Sequence, residues 1–80
     1  MSDQNNHRPQ PIPDTFVGYV VRRGGLIKVS INVDTFNNNC VSYTTSDGLS
    51  YVALEIDLKA LHKIISGERV VTSIIQRGDE

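Results

Sequence analysis

Residues 56–67, reading I-D-L-K-A-L-H-K-I-I-S-G, are the one segment with a helical period, and they constrain everything else. Asp57 is placed to cap the first turn, because its carboxylate can accept orphan backbone N–H groups. Leu58, Leu61 and Ile65 recur on one helical face with Ile64 beside them. Lys59, His62 and Lys63 fall on the other face, and cations toward the C-terminal half suit the helix dipole. Gly67 follows the last apolar residue and suits a left-handed cap. A helix of about three turns is too short to hold alone in water. It needs an apolar bed, and the rest of the chain must supply one.

The segments before it read as strands. Residues 16–22 (F-V-G-Y-V-V-R) are aromatic and β-branched, and Gly18 among them marks a bulge or a close backbone approach. Gly24-Gly25 permits a tight hairpin turn. In residues 26–33, Ile27, Val29, Ile31 and Val33 alternate with Lys28, Ser30 and Asn32, the pattern of a strand with one face covered. Residues 34–39 (D-T-F-N-N-N) read as a turn, since asparagine bonds its own backbone and tolerates left-handed geometry. A cation loop on Asp34, Asn37 and Asn39 is the weaker reading, with one carboxylate and no calcium-loop spacing. Residues 40–45 read as a third strand and residues 50–56 as a fourth, joined at Asp47-Gly48, a strong hairpin signal. After Gly67, residues 68–76 are β-branched and read as a fifth strand.

The expected fold is therefore α+β. A small antiparallel sheet in β-β-β-β-α-β order carries one amphipathic helix packed on one face. Leu58, Leu61 and Ile65 are expected to rest on Ile27, Val29, Ile31, Val52, Leu54 and Ile56. Residues 1–13 hold all three prolines and read as a disordered polar tail, residues 14–77 as a single domain, and residues 78–80 as a polar end.

Eighty residues bury only roughly 60–65% of the surface of the unfolded chain, so the core is small. Such domains lean on disulfides, metals or a second subunit. Cys40 is the single cysteine, so an internal disulfide is excluded, and with only His7 and His62 a Cys/His metal cluster is excluded too. A partner subunit remains, and a homodimer is expected. Net charge is −1, with no global bias toward nucleic acid or membranes. No apolar run approaches the ~20 residues that span a bilayer, and the N-terminus has no secretory apolar stretch. A cytoplasmic location is the expectation.

No catalytic arrangement stands out. Cys40 has no basic neighbour in sequence to activate it, and His62 sits among lysines on the outer helix face. Asp47 belongs to a turn, Asp57 to a cap, and no phosphate-binding or nucleophile-elbow motif occurs. The sequence points to a non-enzymatic protein without cofactor or metal. The leading expectation is a small binding or regulatory module acting through protein–protein contact, as a homodimer or with another protein. Its interface is expected on the last strand, at Val70, Val71, Thr72, Ile74 and Ile75, because apolar residues occupy both faces there. The alternative is a single-stranded nucleic-acid binder using the polar sheet face. Arg22, Arg23, Lys28 and Tyr51 would carry it, with Ser30, Asn32, Ser42 and Thr44 around them.

Overall fold

The hairpin that founds the sheet turns at Gly24, where φ is +60°, a conformation that L side chains rarely adopt. It joins strand β1 (Thr15–Arg23) to strand β2 (Leu26–Ile31), with Arg23 opposite Leu26 and Gly18 opposite Ile31. The architecture is that of a computed structural model, which describes residues 13–78. The tail expected over residues 1–13 lies outside the described residues except for Pro13, as does the expected polar end except for Gly78. After β2 come helix α1 (Val33–Asn39), strands β3 (Tyr43–Thr44) and β4 (Ser50–Tyr51), helix α2 (Leu58–Ser66) and strand β5 (Val71–Gln76).

The fold is α+β with a small antiparallel sheet, as the sequence indicates. Its wiring differs. The main sheet has three strands in the order β2-β1-β5, and β3 and β4 form a separate two-stranded ribbon. The expected meander of four strands is therefore corrected: β5 returns to pair with β1, on the side away from β2. The segment read as a turn at residues 34–39 is helical. Asn32 caps it, its Oδ1 accepting the Thr35 N–H at 2.9 Å, and Asp34 lies in the favourable first turn. The third and fourth strands shrink to two residues each. The Asp47-Gly48 hairpin signal is realised between them, with Gly48 at φ +88° and the Thr45 N–H donating to Leu49 O at 2.8 Å.

Helix α2 has the caps its sequence announces. The Ala60 N–H donates to Asp57 Oδ2 at 2.9 Å. Gly67 sits at φ +87°, its N–H donating to Ile64 O at 3.2 Å while the Glu68 N–H reaches Lys63 O at 2.8 Å. Arg22 reaches across from β1 to donate to Ile65 O at 2.6 Å, placing a cation on the negative end of the helix. The buried face is displaced from the expected one. At about 100° per residue the apolar residues span an arc of about 160°, from Ala60 through Ile64 and Leu61 to Leu58. Only the Ala60–Ile64 side meets the sheet, where the small Ala60 permits close approach. Leu58 and Ile65 are exposed.

The core is Val20, Ile64 and Ile74, with Ile31, Leu54 and Ile56 partly covered against it. Val17 is buried as well. Val17 and Val20 are three residues apart in one strand, which strict alternation would send to opposite faces. A register shift between Phe16 and Gly18 resolves this: Phe16 pairs with Ile75 and Gly18 with Ile74, so Val17 is an extra, bulged residue. Gly18 is obligatory there. A Cβ on it would lie 1.9 Å from the Ser30 carbonyl oxygen, a backbone atom that cannot swing aside.

Candidate functional site

Two surfaces of the sheet are built differently from the rest of the molecule: the outer edge of β2 and the face opposite α2.

The edge follows from hydrogen-bond alternation. The Asn32 N–H donates to Val17 O at 2.7 Å, which makes 17/32 a bonded pair. Bonded and non-bonded pairs alternate along an antiparallel ladder. Lys28 and Ser30 therefore turn their backbone groups toward β1, and Ile27, Val29 and Ile31 turn theirs outward. Among the described residues no strand or loop meets those outward groups. Ile27 and Val29 point their side chains to the α2 side of the sheet, and the helix leaves them 37% and 55% exposed. A shallow hollow of roughly 280 Å³ continues this apolar strip between the hairpin tip and α2, lined by Arg22, Leu26, Ile27 and Ile65.

The outer edge of β5 is partly closed by the chain itself. Glu55 and Ile75 exchange backbone bonds at 2.7 and 2.9 Å. Val71 O accepts from Arg69 Nε at 2.9 Å. The buried Gln76 side chain mimics a further strand: its Oε1 accepts the Val41 N–H at 2.8 Å and its Nε2 donates to Val41 O at 2.8 Å. Arg77 and Glu55 add an exposed ion pair at 2.6 Å.

The expected interface on the last strand is split by this arrangement. Thr72 and Ile74 are buried inside the subunit, Ile75 is half-buried, and Val70 and Val71 are exposed. The sequence shows that β5 is apolar on both faces, but not that β1 and α2 take one of them.

The second surface is the open face. Registers place Phe16, Tyr19, Val21 and Arg23 of β1 on it, with Leu26, Lys28 and Ser30 of β2 and Val71, Ser73 and Ile75 of β5. The bulge at Val17 is what brings Phe16 to the same side as Tyr19. They are 71% and 49% exposed. A cleft of roughly 590 Å³ runs between them, floored by Ser30 and Ser73 and flanked by Asn32 and Thr35 at the start of α1. No Asp or Glu lies among those ten positions, and Arg23 and Lys28 are both there.

The four residues expected to hold nucleic acid are thus not brought together. Arg23 and Lys28 share the open face, while Arg22 turns to the α2 side and holds the helix end. Tyr51 belongs to the ribbon, its ring 5.8 Å from that of Tyr43. Asn32, counted with the polar face, caps α1, and Ser42 and Thr44 belong to the ribbon segment. Phe16 and Tyr19, missed in sequence, are the exposed aromatics of the face.

The ribbon turn has its own electrostatics. Asp47 accepts from the Thr45 hydroxyl and from the Leu49 N–H, and these bonds, the first above all, hold its carboxyl below the usual aspartate value. Among the described residues no cluster of three or more His, Cys, Asp or Glu could hold a metal, and no helix is long and apolar enough to cross a membrane. Cys40 is half-buried. No family model matches the chain, and comparison with curated proteins and with solved structures finds no match.

Proposed function

We propose that this chain is a non-catalytic interaction module whose working form is a homodimer, joined by antiparallel pairing of β2 with β2 of a second copy. One observation carries this reading: β2 ends the sheet with outward backbone groups and two uncovered β-branched side chains, Ile27 and Val29, beside them. An edge of that kind recruits another strand. The thin core adds to it. Among the described residues five apolar side chains are buried while fifteen large ones are exposed. A lone subunit with that balance gains little from the hydrophobic effect, and a second copy covers Ile27, Val29 and Ile65 of each partner. Lys28 faces the other side of the sheet and stays in water in the pair.

The experiment is sedimentation at micromolar concentration. The native chain is expected near twice its 8.9 kDa mass. Val29→Pro removes an outward N–H, which an edge strand tolerates within the subunit but a pairing strand does not. It is expected to sediment as a folded monomer. A native chain that is monomeric throughout, or a Val29→Pro dimer indistinguishable from native, contradicts the reading.

A further inference from the structure

We infer that the open face of the sheet binds single-stranded nucleic acid, with bases laid on Phe16 and Tyr19 and phosphates on Arg23 and Lys28. The inference does not depend on the β2 pairing, since it uses the face of the sheet and not its edge.

Charge comes first. The chain carries nine acidic and eight basic residues, so a face taken at random has no positive bias. Here the ten strand positions hold two cations and no carboxylate, and Glu55, which its bridge to Ile75 brings to the rim of this face, is paired with Arg77. A polyanion is the complementary partner, and a basic or neutral apolar peptide has less to gain from such a surface.

The aromatics come second. A β-bulge costs ladder pairing, and this one fixes Gly18 under a backbone carbonyl. Its effect is to keep Val17 and Val20 inside while putting Phe16 and Tyr19 outside together. Two exposed rings in one cleft lined by hydroxyls offer stacking surfaces to successive unpaired bases, which every base can use through its π-face. Ser30, Ser73 and Thr35 add donors and acceptors for sugar or base edges. A duplex presents neither unpaired rings nor a groove shape that a flat three-stranded face matches, so single strands are favoured.

The test is fluorescence anisotropy with labelled oligo(dT), oligo(rU) and a DNA duplex, each over a salt series. Tight binding of either single strand is expected, with the duplex at least tenfold weaker. The comparison of oligo(dT) with oligo(rU) tells which sugar the face prefers. If two phosphates per protomer are neutralised, log affinity should fall with log salt at a slope of about −1.4 per protomer. Phe16→Ala with Tyr19→Ala should weaken binding by about tenfold or more, and Lys28→Gln should weaken it while flattening the slope. All three positions are exposed, and a thermal melt on each variant checks that it is folded. Absence of binding to both single strands at low salt overturns the inference. So does equal binding of duplex and single strand, or an unchanged affinity in the folded Phe16/Tyr19 variant. Sedimentation of the same samples reports the β2 pairing separately, so the two ideas fail independently.

Discussion

The two edges of the sheet solve one problem in opposite ways. On β5 the Val71 carbonyl is held by Arg69 and both backbone groups of Ile75 by Glu55, and Gln76 clamps Val41 beside them. On β2 the corresponding groups of Ile27 and Val29 meet nothing among the described residues. Both edges are apolar in sequence, yet only on β5 does the chain bond outward backbone groups of its own. The lesson is that an apolar strand is not in itself an interface. What counts is which edge the intervening loops can reach, and Val41, Ala53 and Glu55 all bond to β5.

The strand that both edges share is the most sensitive point. Gly18→Ala drives a methyl into the Ser30 carbonyl, and overpacking against backbone should cost about 3 kcal/mol or more. Chemical denaturation should show a collapse of stability, and a variant as stable as native would mean the bulge is not as described. Next is the core beneath the helix. Ile64→Ala leaves a cavity between Val20 and Ile74 and should cost about 2–4 kcal/mol by the same measurement. The closed edge then gives a smaller effect. Gln76→Leu keeps the volume and orphans both backbone groups of Val41, so a loss of about 1–3 kcal/mol is expected. The same variant should speed amide exchange at Val41 and Glu55, leaving β2 unaffected. If exchange rises equally at both edges, the distinction between them is false.

The smallest effect is a pH dependence in the ribbon. Asp47 has a lowered folded value, so its contribution is present above the unfolded value and is lost as pH falls through the folded one. NMR titration should place the Asp47 carboxyl below the ordinary aspartate value of 3.8, and Asp47→Asn should abolish that step in the shifts of Thr45 and Leu49. An ordinary value at Asp47 would remove the turn's bonding as its cause.

Local signals were legible in sequence where one residue does one job. Asp57, Gly67 and Gly48 cap or turn the backbone as their chemistry dictates, and α2 follows from its period. The first helix was hidden because its asparagines resemble a loop tip. The sign that reveals it is Asn32 capping with Val33 and Phe36 one turn apart. The strands expected at residues 40–45 and 50–56 are shorter in the structure, since the alternation at Leu54 and Ile56 reports packing against the Val20–Ile64–Ile74 core, and ladder pairing there is confined to β3–β4 and the Glu55 bridge. Gly18 announced an irregularity, but not its outcome. A regular strand puts Phe16 and Tyr19 on opposite faces, and only the register with β5 puts them on one. The order β2-β1-β5, and with it the choice of open edge, arises from long-range pairing that no short window encodes.

Amide hydrogen exchange of Ile27 and Val29, followed across protein concentration, tests the open edge most directly. If β2 pairs with β2, both amides are protected at high concentration and lose that protection on dilution, while Ile75 stays protected throughout. Free exchange at Ile27 and Val29 at every concentration, with the rest of the sheet protected, would contradict it.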